Sequence, residues 1–172
     1  MDMINLSLDL YKMENGTYEI NQKAVPIQEI LTNIISELTL NTPALEGQIK
    51  VQSTKAMNPE QPFMISGDNL LCYSLFANLI KNSVEATPAH KPITVTLKPE
   101  GVMATISIHN SGSVPEEIRT IFFEKDVTAG KKGGTGLGTY SAALITRTQN
   151  GKIALDTSIA GETTINVQLP LA

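Results

Sequence analysis

The chain has 172 residues, 41% of them apolar and 17% charged, and a formal net charge of −4. That length suits one ordinary domain with a real hydrophobic core. The acidic balance, with no Lys/Arg cluster to offset it locally, excludes bulk attraction to nucleic acid. The single cysteine, Cys72, can form no internal disulfide and falls on the apolar side of a predicted helix, where a small buried hydrophobe is expected. No apolar run approaches membrane-spanning length and no signal peptide opens the chain. The expectation is a cytoplasmic domain whose parent protein can still be membrane-anchored.

In chain order, Met1–Met13 carries Ile4, Leu6, Leu8, Leu10 and Tyr11 without a breaker. It reads as a helix ending at Glu14-Asn15-Gly16, where Gly16 suits a left-handed C-terminal position. Its start has no capping sequence, as expected for the tail of a longer helix. Tyr18–Val25 reads as a strand. Pro26 then opens an amphipathic helix through Ile27, Ile30, Leu31, Ile34, Ile35 and Leu38. A loop around Asn41-Thr42-Pro43 leads to a strand near Ile49–Met57, and Pro59 and Pro62 interrupt the chain. The next helix has Ser66 or Asp68 as its N-cap and ends before Pro88. Cys72, Leu75, Phe76, Leu79 and Ile80 form its buried arc. Beside that arc, Asn78, Asn82 and Glu85 share a stripe, because successive helical residues turn by about 100°.

Ile93–Leu97 and Val102–Ile108 alternate about Pro99-Glu100-Gly101, a hairpin signal. Pro115–Phe123 reads as a short helix, Asp126–Gly134 as a basic loop of small residues, and Leu137–Gln149 as a helix. Ile153–Ser158 and Thr163–Leu169 close the chain as a hairpin around Gly161. Strands interleaved with three main helices predict an α+β fold. It is a two-layer α/β sandwich with a mixed, mostly antiparallel sheet and the helices on one face.

Three stretches carry candidate chemistry. Asn78 and Asn82, one turn apart, offer neutral oxygen ligands and amide donors to one point, although a solvated polar face would have the same spacing. Gly134-Thr135-Gly136-Leu137-Gly138 lies at the mouth of a helix, where unpaired N–H groups and the positive dipole end favour an anion, and Lys131 and Lys132 precede it. It lacks the Gly-Lys-Ser/Thr ending of a P-loop and follows no strand directly. His109-Asn110-Ser111-Gly112 ends a strand, so that Asn110 could read a base edge while Gly112 clears space for a flat ring. An ordinary turn uses the same residues. The two histidines, His90 and His109, have no metal-site spacing, and no nucleophile elbow is present.

In this order the stretches resemble the motif boxes of the ATP-binding domain of sensor histidine kinases, in the GHKL (Bergerat-fold) superfamily. Asn78-Leu-Ile-Lys-Asn82-Ser-Val-Glu-Ala86 is similar to the N box and His109–Pro115 to the G1 box. Ile121-Phe-Phe-Glu124 is similar to the F box and Gly134–Gly138 to the G2 box. Gly161–Pro170 resembles the closing strand. The resemblance implies residues 17–172 as an ATP-binding catalytic domain, with residues 1–16 as the end of an upstream dimerisation and phosphoacceptor helix. It implies ATP and Mg²⁺ as cofactors, with Asn82 as metal ligand and Asn78 assisting catalysis at the metal or phosphates. Lys81, Lys131, Gly134, Thr135, Gly136, Leu137 and Gly138 would serve the phosphates, with a lid over about Glu124–Gly133. Asn110, Gly112 and either Thr163 or Thr164 would serve the adenine.

The implied activity is that of a histidine protein kinase. It would donate the γ-phosphoryl group to a histidine on the dimerisation domain of the same homodimeric protein, and a response-regulator receiver would be the onward partner. No histidine precedes His90, so this chain is not expected to phosphorylate itself on the family site. Asn78 stands where ATP-hydrolysing relatives such as gyrase B carry Glu, which disfavours intrinsic hydrolysis. The family's adenine-reading Asp is Asn110 here, in a box one residue short. Glu85 replaces a basic phosphate contact, and Glu162 separates Gly161 from Thr163. These departures motivate an alternative, a nucleotide-independent docking module for a receiver or phosphotransfer partner.

Overall fold

The computed structural model describes residues 3–54, 62–128 and 136–172. Its frame is a five-stranded sheet in the order β2 (Ile49–Ser53), β4 (Ile93–Glu100), β5 (Met103–Ser111), β7 (Glu162–Pro170), β6 (Lys152–Asp156). Only β2 and β4 pair in parallel, and every other neighbour is antiparallel. Strand alternation sends successive side chains to opposite faces. Ile93, Val95 and Leu97 of β4, Ala104, Ile106 and Ile108 of β5, and Ile165, Val167 and Leu169 of β7 are all buried on one face. Between them, Thr94, Thr96, Thr105, Ser107, His109, Thr164, Asn166 and Gln168 take the other face, which is half-buried and polar. An antiparallel sheet with one solvated face is the arrangement such alternation predicts.

The helices cover the apolar face. α3 (Asn69–Ala86) packs on β5, flanked by α2 (Ile27–Asn41) and α4 (Leu137–Thr148). Its buried residues, Leu71, Cys72, Leu75, Phe76, Leu79, Ile80 and Ser83, follow the helical period and include the whole predicted arc. Asp68 is the N-cap, its Oδ1 accepting from the N–H groups of Leu70 at 2.9 Å and Leu71 at 3.2 Å. This satisfies two of the four donors that a helix start leaves open.

α1 (Met3–Glu14) lies against α4, with Leu10 and Met13 joining the common core. Its end has the predicted form. Gly16 takes φ +67°, and Thr17 N donates to Lys12 O at 2.8 Å while Gly16 N donates to Met13 O at 3.2 Å. That pair of bonds is a Schellman closure.

Several element boundaries differ from expectation. The strand expected over Tyr18–Val25 is β1, Lys23–Pro26, because its partner β3 (Met64–Gly67) offers only four residues to pair with. Before β1, Asn21 N donates instead to Asp68 Oδ2 at 3.1 Å. β3 itself carries no local strand signal and exists through pairing with a segment about forty residues upstream. β2 ends at Ser53, and the rest of the predicted Ile49–Met57 strand, Lys55 onward, lies outside the described residues. The predicted Pro115–Phe123 helix is a 3₁₀ segment, Glu116–Ile121, with no buried residue to anchor a longer α-helix. The Gly101 turn joins β4 to β5, and β6 to β7 closes around Gly161.

Candidate functional site

The C-terminal half of α3 forms one wall of the site. Asn82 and Asn78 are half-buried, in line with the first turns of α4. A Cβ on Gly138 would stand 3.4 Å from Asn82 Nδ2 and 3.8 Å from its Oδ1, so the Asn82 amide rests against the start of α4. Asn78 Nδ2 donates to Ser141 Oγ at 3.0 Å, and Ser141 Oγ donates to Gly138 O at 3.0 Å. Two carboxamides and a helix N-terminus therefore share one cleft.

Gly136 is the N-cap of α4. Its φ of +66° falls where L side chains are strained, and a Cβ there would lie 2.6 Å from Asp126 C and 2.9 Å from Val127 N. Glycine thus lets the chain close on itself at Asp126–Gly136. As a cap it contributes no side chain to the N–H groups of the first turn, which stay available to an anion at the positive dipole end. Of the other predicted phosphate contacts, Leu137 opens α4, and Lys131, Gly134 and Thr135 lie outside the described residues. So does the predicted lid beyond Thr128. The F-box residues Phe122 and Phe123 meet edge-to-face, with ring centroids 5.1 Å apart, and pack on the core.

The second cluster is at the end of β5. Asn110 is on the apolar face, 3% exposed, directly across from Thr163 in the β5–β7 register. Its Nδ2 is buried and has no hydrogen-bond partner. A buried donor left unpaired costs about 1–3 kcal/mol, as at Gln149 Nε2. Thr163 Oγ1 donates to Gly112 O at 2.7 Å, holding the turn after β5. Gly112 permits close approach. A Cβ there would come within 2.6 Å of Ala86 O at the end of α3 and 3.0 Å from Asn110 Nδ2. The stretch Asn78–Ala86 thereby touches both clusters, α4 through Asn82 and the β5 turn through Ala86.

The structure separates the two candidate threonines. Thr163 points inward beside Asn110. Thr164 belongs to the outer face, where its Oγ1 lies 3.0 Å from His109 Nδ1, away from the cleft. His109 also pairs with Glu162 at 3.5 Å on that outer face. Lys81 and Glu85 are exposed on α3. Among the described residues no group of three or more His, Cys, Asp or Glu could hold a metal ion. A cation held at the cleft would take amide oxygen from Asn82 and complete its shell from the oxygens of an anionic ligand, a donor set that suits a hard ion.

Sequence reasoning missed Ser141 and Gln149. Gln149 Oε1 accepts from Asp68 N at 2.8 Å and from Cys72 Sγ at 3.4 Å, tying the end of α4 to the start of α3. Burial pushes the Cys72 thiol up to about 12, so it is no nucleophile at neutral pH. Only Ser141's helical spacing, three residues from Gly138, hinted at a place on the cleft side of α4.

A two-layer α+β sandwich, with asparagines on a central helix facing the glycine-entered start of another, defines a class of nucleotide-binding domain. Residues 67–172 match the family model described as histidine kinase-, DNA gyrase B- and HSP90-like ATPase, and the chain belongs to that family as a catalytic ATP-binding domain of the sensor histidine kinase type. Sporulation kinase C of Bacillus subtilis (strain 168) is 27% identical over 143 residues, covering 82% of this chain and 33% of that protein. The chain thus spans about a third of that relative's length. Among solved structures, the catalytic domain of histidine kinase ThkA superposes with a TM-score of 0.75 at 20% identity, covering 87% of this chain and 95% of that one. Full-length ShkA in complex with AMPPNP gives 0.76 at 19% identity, covering 98% of this chain and 35% of that one. The shared fold is the α+β sandwich expected from the strand and helix order. No helix among the described residues is long and apolar enough to cross a membrane.

Proposed function

We propose that this chain binds Mg-ATP between α3 and the N-terminus of α4 and presents the γ-phosphoryl group to a histidine on a dimerisation domain of the same protein. The observation that carries the reading is the meeting of Asn82 with Gly138, which joins the carboxamide stripe to the open first turn of α4. Asn82 would hold the metal, with Asn78 beside it, and the N–H groups after Gly136 would take the phosphates. Bound Mg²⁺ supplies charge neutralisation of the triphosphate. The chain's own residues supply position: α3 fixes both amides, and the inner face of β5 and β7 holds Asn110 and Thr163 for the base. Asn110 Nδ2, buried without a partner, fits a ring nitrogen acceptor, and its oxygen fits an amino group.

A neutral amide at Asn78 cannot take a proton from water, so the site favours transfer to a positioned acceptor over hydrolysis. A receiver domain would then take the phosphoryl group from that histidine, in a homodimeric parent. Residues 1–16 would belong to the end of the upstream dimerisation helix, with Leu10 and Met13 of α1 packed into the hydrophobic core. Titration with a fluorescent ATP analogue, with Mg²⁺ and with EDTA, tests the binding. Saturable, Mg²⁺-strengthened binding that Asn82→Ala reduces to the EDTA level is expected. A folded sample with no saturable binding, and a melting midpoint unmoved by excess Mg-ATP, would favour the docking module instead.

A further inference from the structure

We infer that Ser141 is a positioning residue that decides which end of the Asn78 carboxamide faces the ligand. The inference rests on the nucleotide site proposed above and adds to it a residue outside the family motifs. A carboxamide presents an oxygen acceptor at one end and an N–H donor at the other, with nearly the same shape. A hard cation or its bound water needs the oxygen; the amide hydrogens would repel it. Something must therefore break the symmetry between the two ends.

Ser141 does so by hydrogen-bond arithmetic. Its hydroxyl has one proton, and Gly138 O, 3.0 Å away, can only accept it. With its proton on Gly138 O, the hydroxyl turns lone pairs towards Asn78 and accepts from its Nδ2 at 3.0 Å. Asn78 Oδ1 is the end turned off Ser141, and Asn78 shares its helix stripe with Asn82. Ser141 is 2% exposed, so water does not compete for either bond. The relay ends at Gly138, beside which the Asn82 amide lies, so both amides border the first turn of α4.

The test compares ATP affinity in MgCl₂ and in EDTA, read by displacement of a fluorescent ATP analogue, for four proteins. These are the unaltered chain, Ser141→Ala, Asn78→Asp and the double variant. Loss of a partner behind a metal-site residue typically costs ten- to a hundredfold in metal affinity. Ser141→Ala is accordingly expected to cut the Mg²⁺ enhancement about tenfold, with affinity in EDTA unchanged. A carboxylate has oxygen at both ends and needs no orienting. In the Asn78→Asp background the same substitution should therefore change the enhancement by less than about twofold, the usual limit for uncoupled sites.

Equal loss in both backgrounds would mean that Ser141 only staples the helices, and would overturn the inference. So would an unchanged enhancement in a natively melting Ser141→Ala. Should that variant fail to fold, Ser141→Cys keeps the volume while weakening the acceptor, and must show the same selective loss. Absence of Mg²⁺-dependent binding by the unaltered chain would remove the proposed function as well, whereas normal binding there with a silent Ser141→Ala removes this inference alone.

Discussion

Neighbouring residues on β5 and β7 have opposite fates. Asn110 and Thr163 face the helices, buried beside the cleft, while His109 and Thr164, one residue away on each strand, bond each other on the outer face. The chemistry of the two threonines is the same, and only strand parity separates them. A single-residue slip in register would exchange the pairs. The pattern Ile106, Ile108, Ile165, Val167 makes such a slip costly, because it would turn the aliphatic residues outward with it. The apolar alternation that builds the core therefore also selects which polar residues reach the site.

The largest effect that would sharpen this contrast is expected in the core. Ile108→Ala removes a fully buried side chain and should cost about 2–5 kcal/mol in urea unfolding. Ser107→Ala on the outer face, which removes a hydrogen bond to Asn166, should cost no more than about 1 kcal/mol. Equal costs would mean that the two faces are not differently packed.

Next in size is the threonine pair. Thr163→Val leaves Gly112 O without its donor and should destabilise by about 1–3 kcal/mol while weakening ATP-analogue binding. Thr164→Val should leave nucleotide affinity unchanged, and a loss there as large as at Thr163 would break the assignment by face. Smaller still is the outer His109–Glu162 contact, with both side chains more than a third exposed. Glu162→Gln should move the urea midpoint by no more than about 0.5 kcal/mol of stability.

The smallest effect lies off the sheet. Glu14 of α1 accepts from Tyr140 Oη at 2.6 Å and from Lys125 Nζ at 3.2 Å. The Tyr140 hydrogen bond first, and Lys125 second, hold its carboxyl below the ordinary range. A depressed native value gives a contribution that is present above the ordinary carboxylate value and lost as pH falls through the lowered one. The difference in urea midpoint between the unaltered chain and Glu14→Gln should therefore be visible at neutral pH and vanish in acid. A difference that grew on acidification would contradict the contact. Being solvent-exposed, this anchor is expected to matter less than any inner-face contact.

Much of this was legible before any coordinates. The arc of α3 appeared in full from Cys72, Leu75, Phe76, Leu79 and Ile80, because a helix buries one stripe at a fixed period. The β4–β5 hairpin appeared from strict alternation about Gly101, and the closing hairpin likewise. β3 did not, since Met64–Gly67 is too short to show a period and is a strand only by pairing with β1. Tyr18–Gln22 looked like a strand and is not, because its apolar residues found no ladder partner and Asn21 bonded a helix cap instead. Ser141 and Gln149 were silent because a polar residue in a helix shows nothing of the element it will meet.

By itself the sequence determined the α+β class, the main helices and hairpins and the family, through periodicities and motifs that each act over a few residues. Tertiary structure alone decided which threonine turns inward, that Asn110 is buried with an unpaired donor, and that Ser141 holds the Asn78 amide by its nitrogen end. The reason is physical. Burial patterns are local and repeat along the chain, whereas register and hydrogen-bond polarity depend on atoms brought together from segments 51 to 81 residues apart.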